Sequence, residues 1–521
     1  MSASAIQRHL PILLILLLAA YLRLDGLNEP GLWLDEAAYT IAAQKPIIDQ
    51  IINPIETLRD SIGAADPVLS SIPFALALRL GFSNYTARLP AAMFGILTIA
   101  TMYQLGRSMF SESVGLASAL LLCVSGFHLL YSQEARSYAQ LTFFTVASFW
   151  FLYRATTRHR LTDWTWYTLV VWAGMSSHYD MAFAVFVQGV FVLFTPVLEH
   201  FRTQLPWKNR AIWRNWVYFA AAMVLVFLAR LPWLADFLYW SQRTVGGPYP
   251  LQLQSNFVRS IQTMLGDQSG ILGLYAGLGI IGMAFAFYYR RRAALLLTIW
   301  LVLAIPVTIF GLWYVSQFFH QRHVIWSLPA FLLATANGAV AIPQMLFRQR
   351  KAPIRTGLTG LVIAPLLVVN LMQAQQIPQI KQHWPLGKLQ EATAYIATQA
   401  RPHEIVIGIP NAQYLKLYIE PVRQDLSYID TRSTALPAAL NGVWYVFFDI
   451  QNVPHPGEAG VQYQQFQDLL VVYQPEPCQG AACIGRIERR LQEVIEANPN
   501  AAGTPKFKAI LSGLARLQES D

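Results

Sequence analysis

Apolar runs broken by short charged clusters occupy most of the chain. The runs fall at 9–24, 88–106, 112–131, 138–153, 164–178, 180–197, 214–234, 268–289, 293–312, 323–346 and 356–372. A helix that crosses a bilayer needs about 20 consecutive apolar residues, so the pattern predicts a mainly α-helical polytopic membrane protein with about eleven transmembrane helices. The clusters between the runs alternate in character. One set carries Arg8, Arg107, Arg154, Arg158, Arg160, Arg202, Lys208, Arg210, Arg214, Arg290, Arg291, Arg292, Arg348, Arg350, Lys351 and Arg355. Basic residues are retained on the cytoplasmic side of a multipass protein. The N-terminus is therefore expected inside and the C-terminal part outside. The first run ends in Tyr-Leu-Arg-Leu-Asp at 21–25 with no Ala-x-Ala-like site, which favours an uncleaved first helix over a signal peptide.

The opposite set of connections holds Asp35 and Glu36, Gln133 to Arg136, His178 to Asp180, the loop 236–266, and Phe318 to His323. The polar constellations thus converge on one face. The first of these loops, 25–87, is long. Trp33, Ala37 and Ile41 lie one helical turn apart in it, followed by Ile47, Ile48, Ile51 and Ile52. That spacing predicts an amphipathic helix lying on the membrane surface. Asp66-Pro67 opens a further apolar piece, Val68 to Leu80, read as a short surface helix because a crossing there would break the charge alternation downstream.

After Leu371 charges and glutamines become common and Pro and Gly mark turns. Gln390 to Ala400 and Ile487 to Ala497 read as helices, and Ile405 to Ile409 and Val443 to Phe448 as short strands. Residues 1–375 are accordingly expected to form the membrane domain, with 25–87 as its first outer loop. Residues 376–521 are expected to form a small extracytoplasmic α/β domain. No catalytic motif is visible in that part.

Composition agrees with the pattern. Of 521 residues 55% are hydrophobic and 13% charged, against about 25% charged in soluble domains. The net charge of +9 sits in the loop clusters, so it follows from topology and does not point to nucleic acid. Cys123 lies inside an apolar run. Cys478 and Cys483 stand close together in the C-terminal part, where an extracytoplasmic location makes a small-loop disulfide plausible. Two thiols with no nearby His are half a ligand set, which disfavours a metal there.

Four groups carry candidate chemistry. Asp35 and Glu36 either complement a helix dipole or supply a general base, with the neighbouring acid tuning it or helping to hold a cation. Adjacent helical residues point about 100° apart, so one of them, Asp35, is expected to reach the reacting hydroxyl. Glu134 and Arg136, in Tyr-Ser-Gln-Glu-Ala-Arg-Ser-Tyr at 131–138, are either a solvated loop or an arginine gripping a phosphate with a carboxylate orienting it. His178 either supports a helix end or binds a phosphate or metal. Arg322 with His323 either snorkels at the interface or meets the leaving phosphate. Arg88 is a weaker candidate of that kind. The acidic residues are thin for a committed metal site, so a divalent metal stays open.

Taken together, Trp-Leu-Asp-Glu-Ala at 33–37, Ala-Arg-Leu-Pro-Ala-Ala-Met-Phe-Gly at 87–95, the 131–138 segment, Ser-His-Tyr at 177–179, and Gln-Arg-His at 321–323 with Pro329 downstream resemble the GT-C membrane glycosyltransferases. The resemblance is nearest to the bacterial family 39, protein-mannosyltransferase-like group, and spans about residues 5–375. It implies transfer of a sugar from a polyprenyl-phosphate donor to an acceptor hydroxyl on the non-cytoplasmic side, with inversion. It also implies that Asp35 matches the catalytic aspartate and that Arg136 and Arg322 stand near the donor phosphate. The chain departs from the family pattern at Asp66, often His or Pro, and at His323, often Tyr or Phe. The implied partners are the lipid-linked donor, an acceptor hydroxyl on a lipid, glycan or protein, and membrane lipids; the implied location is a bacterial plasma membrane.

Two other readings compete. A lipid or polyprenyl-linked glycan flippase would place charged or broken segments near mid-membrane and show internal repetition, whereas the charges here gather at one face. A non-catalytic envelope assembly protein would be expected to have lost the Asp35 carboxylate, which is intact.

Overall fold

The computed structural model describes residues 3–53, 67–203, 210–235, 251–266, 269–315, 319–347, 352–382, 388–409, 413–429, 439–440, 442–448, 462–466, 469–474 and 478–479, with a few single positions between. The protein is mostly helical with a small C-terminal sheet. It divides into two compact units. One is Met1–Leu27 with Lys45–Asp60 and Ala65–Ile377, and the other is Asn28–Gln44 with Ser61–Ala64 and Pro378–Asp521.

In the first unit each expected apolar run lies on helix. By length and apolarity six described helices qualify as membrane spans: Asn84–Met109, Trp213–Trp233, Ser269–Tyr289, Arg291–Val315, Gln321–Leu346 and Pro353–Lys381. A seventh arises if the bent pair Glu112–Val124 and Gly126–Ser132 is one span, and His9–Leu24 and Met181–Pro196 are shorter apolar helices. The helix Tyr138–Arg158 falls outside that set because it buries Gln140, Thr142, Thr145 and Ser148. A helix packed among helices can hide polar groups from lipid, and this lowers its apolarity below that of a lipid-facing span. The segment after Pro67 is too short to cross. It forms a single turn, Val68–Ser70, and a seven-residue helix, Ile72–Leu78, about 10 Å long at 1.5 Å per residue.

Local chemistry explains several boundaries. Ser83 accepts from the Thr86 N–H while the Thr86 hydroxyl accepts from the Ser83 N–H, a reciprocal cap that starts the helix Asn84–Met109. Ser111 caps Glu112–Val124 in the same sense. Where the helices Ser269–Tyr289 and Leu328–Leu346 cross, Gly282 and Gly338 allow backbone-to-backbone approach, and a Cβ on either would overlap the facing main chain. Asn337 seals the crossing by donating to the Gly282 carbonyl at 2.7 Å.

In the second unit the five-stranded sheet has β1 (Ile405–Ile409) parallel to β2 (Ser427–Ile429) and β3 (Val443–Phe448), and β5 (Leu469–Gln474) antiparallel to β3 and β4 (Gln462–Phe466), giving the order β2-β1-β3-β5-β4. Its buried acid, Glu404, is satisfied by Trp444 Nε1 at 2.7 Å, the Tyr473 hydroxyl at 2.6 Å and the Arg401 N–H at 2.8 Å. The expected strands and the helix Leu389–Gln399 are present. The expected helix 487–497 and the Cys478–Cys483 pairing fall largely outside the described residues; Cys478 itself opens the short strand Cys478–Gln479.

The helix Leu34–Gln44 departs from expectation. It buries Glu36, Ala37, Ala38, Tyr39, Thr40, Ala42 and Ala43 and packs against the helix Gln413–Ile419. An apolar repeat at helical spacing does not say whether lipid or protein covers it, and alanines permit close packing on most sides. The exposed apolar pair Ile48 and Ile52 sits instead on the following short helix.

Candidate active site

In the first unit the site is built on a helix break. Glu112–Val124 and Gly126–Ser132 meet at a 64° bend. The end of the former leaves carbonyls without helical partners, and Arg23 takes two of them, donating to Cys123 at 3.1 Å and Leu122 at 3.4 Å. The same fully buried guanidinium lies 2.9 Å from Nδ1 of His128 on the second helix. Gln133 then donates to Leu22 at 3.0 Å and Asp25 at 2.9 Å. The end of the first helix thereby fastens both the break and the start of the loop 133–137.

That loop is not solvated. Glu134 is 0% and Arg136 5% exposed, and a tight turn closes it, the Arg136 N–H donating to the Glu134 carbonyl at 2.7 Å. Buried charge in a membrane protein marks a cavity or a polar path, because lipid cannot satisfy it. Around Tyr138, the first residue of the next helix, four groups gather. The guanidinium carbons of Arg136 and Arg322 stand 5.9 and 5.5 Å from its ring centroid. The rings of His178 and His323 stand 5.1 and 5.9 Å from it, and 6.3 Å from each other. The structure thus brings Arg136, Arg322 and His178 to one ring, from three separate connections of the chain.

Asp180 closes the group. Its Oδ2 lies 2.7 Å from Nδ1 of His323. Burial works against its ionisation, but the charge and hydrogen bond of His323, with the nearby Arg322, outweigh that and hold its carboxyl below the ordinary range. Asp180 thus brings a carboxylate to two guanidiniums and two imidazoles, and the Glu134 carboxyl lies buried on the loop that carries Arg136. Planar forked donors over an aromatic floor suit an oxyanion such as a phosphate. Arg88 is fully buried on the helix Asn84–Met109 and donates to the Leu27 carbonyl at 3.0 Å, at the end of the first helix.

The second unit carries the two adjacent acids. Glu36 is fully buried, and its Oε2 accepts the Trp33 N–H at 3.3 Å. This is the acid's half of a capping box, and it engages that carboxylate in starting the helix. Asp35, one residue earlier, is half-buried in the same first turn. Within this unit its negative charge adds to burial in pushing the Tyr414 hydroxyl upward. The chain before the helix is held by the Leu32 N–H donating to the Tyr418 hydroxyl at 2.7 Å.

Among the described residues no three His, Cys, Asp or Glu converge to hold a metal ion. Sequence reasoning missed Arg23 and His128 and gave Asp180 no role. Arg23 had a signal: an arginine between two leucines at the end of an apolar run is expensive there unless it has internal acceptors. Nothing local marks Asp180, whose partner His323 is 143 positions away.

Residues 66–235 match the family described as "Dolichyl-phosphate-mannose-protein mannosyltransferase". No curated protein matches the sequence. Over 91% of this chain and 98% of the other, the structure is similar to apo ArnT from Cupriavidus metallidurans, with a TM-score of 0.57 at 13% identity. The same protein bound to undecaprenyl phosphate matches at 0.57 and 12%, over 89% and 97% of the two chains. The Archaeoglobus fulgidus oligosaccharyltransferase in complex with Zn and sulfate matches at 0.51 and 12%, over 80% and 62%. At these identities the likeness is one of fold.

Proposed function

We propose that this chain, which has the fold of the GT-C membrane glycosyltransferases, transfers a hexose or pentose from a polyprenyl-phosphate donor to an acceptor hydroxyl on a lipid, glycan or protein. The observation that carries the reading is the cluster of two guanidiniums and two imidazoles around Tyr138, set in a fold shared with a protein that has been crystallised with undecaprenyl phosphate. The reaction has two electrostatic demands. A hydroxyl must lose its proton as its oxygen attacks the anomeric carbon. The phosphate oxygen leaving that carbon must be stabilised as its charge grows.

Asp35 meets the first demand. Its carboxylate takes the hydroxyl proton while the oxygen–carbon bond forms. Glu36 supports it by holding the helix start. Arg136, Arg322 and His178 meet the second, accepting the growing charge on the polyprenyl phosphate as the carbon–oxygen bond breaks. Glu134 and Arg88 contribute by holding the loop and the first helix in place. A single displacement of this kind inverts the anomeric centre. Burial of Arg136 and His178 limits competing hydrolysis. The charge alternation along the sequence supports a cytoplasmic N-terminus and an extracytoplasmic C-terminal unit in a bacterial plasma membrane.

The test compares wild type with Asp35→Asn in nanodiscs, using a panel of radiolabelled polyprenyl-phosphate sugars and an envelope extract as acceptor. Transfer by wild type and its loss in a folded variant support the reading, and the labelled product names the acceptor class. Transfer at the wild-type rate by Asp35→Asn removes Asp35 as the base.

A further inference from the structure

Asp180 lies between the helices Leu161–Met175 and Met181–Thr203 and is 3% exposed. It engages two imidazoles with two different groups. Its main-chain N–H donates to Nδ1 of His178 at 3.1 Å. Its carboxylate faces Nδ1 of His323 at 2.7 Å. An ionised carboxylate only accepts hydrogen bonds, so Nδ1 of His323 carries a proton. Nδ1 of His178 accepts a main-chain N–H and carries none, which puts that ring's proton on Nε2. The carboxylate also stands 3.7 Å from Nδ1 of His178. Both atoms are acceptors there, so the approach is not a hydrogen bond, and the 3.1 Å contact decides the tautomer.

We propose that Asp180 is a positioning residue for the donor phosphate, its N–H and its carboxylate together fixing the tautomers and orientations of His178 and His323 so that both rings meet the phosphate through Nε2. His178 donates through Nε2–H. His323 shares a proton with a phosphate oxygen through Nε2, whichever of the two holds it. Arg322, one residue before His323, and Arg136 complete the set over Tyr138. The assignment rests on the donor reading above, but the state of the two rings is testable without it.

Two measurements separate them. The first is 15N spectroscopy of histidine-labelled protein in nanodiscs. Wild type is expected to show His178 protonated at Nε2 and not at Nδ1, and His323 protonated at Nδ1. Asp180→Asn is expected to move the His323 signals and leave those of His178, because the main-chain N–H remains. Unchanged His323 signals overturn the proposal. The second is binding of undecaprenyl phosphate. Asp180→Asn is expected to weaken it about tenfold, Asp180→Glu to restore most of that, and Asp180→Asn with His323→Gln to bind no more weakly than His323→Gln alone. Losses that multiply in the double variant overturn the proposal. If Asp180→Asn does not fold, the ring states of wild type decide: a His323 ring without a proton on Nδ1, or a His178 ring with one there, overturns the proposal. If wild type shows the expected ring states yet binds no undecaprenyl phosphate, the donor reading fails and the positioning role for phosphate fails with it, while Asp180 stands as the residue that sets the two tautomers.

Discussion

The two units carry their charges in opposite styles. Around Tyr138 the charged and titratable groups are numerous, buried or partly buried, and drawn from distant connections. On the helix Leu34–Gln44 two acids stand side by side in one turn, one of them engaged as a cap and the other half-buried. The contrast follows from the task each style suits. Holding an anion takes several donors fixed in advance, since reorganisation would cost the affinity they provide. Accepting one proton takes one carboxylate with access to the hydroxyl.

Substitutions sharpen this contrast. The largest effect is expected for Asp35→Asn: a fall in kcat of about 10²–10⁴-fold, the usual range for loss of a general base, with undecaprenyl phosphate binding unchanged. Weakened lipid binding in that variant would break the division of labour. Next come Arg136→Ala and Arg322→Ala, each expected to lower kcat/KM by about 10²–10³-fold, as removal of a charge-stabilising donor does, together with weaker lipid binding. Arginine-to-lysine versions are expected to recover little, because a point charge does not reproduce the planar fork. Steady-state kinetics across a donor series measures both.

Glu36→Ala is expected to act on stability. It removes a helix cap, worth about 1 kcal/mol, and thermal melting in detergent should show that loss while transfer stays within a few-fold of wild type. A collapse of kcat with unchanged melting would move the base from Asp35 to Glu36. The smallest effect concerns pH. The Asp180 carboxyl is held below the ordinary range, so its contribution to stability is fully present above the unfolded value, about 3.9. It is lost as pH falls through the lower folded value. Melting between pH 3 and 6 should show a decline toward the acid end that Asp180→Asn flattens, and identical profiles would remove the carboxylate from the stabilising network.

Much of this was legible in the residues alone. The apolar runs located the helices because lipid and a packed helical interior both demand continuous apolar surface. The paired acids and the 131–138 segment were visible because several charged residues beside long apolar runs are costly without a purpose. The roles were less visible. Glu36 and Asp35 are indistinguishable in a sequence, and it is the Trp33 N–H donating to Glu36 that marks that acid as the cap. Trp33, Ala37 and Ile41 repeat at helical spacing whether lipid or the helix Gln413–Ile419 covers them.

What the chain determined by itself was therefore local: where helices form and where they stop. Hydrophobic length and capping act over a few residues to a single span, and a linear reading captures them. What only the tertiary structure decided was which distant groups share a proton or a charge. Arg23 finds carbonyls of residues 122 and 123, and Asp180 finds His323 across 143 positions. Hydrogen bonds and ion pairs act over a few ångströms of space and are indifferent to separation along the chain, so their partners emerge only once the helices have packed.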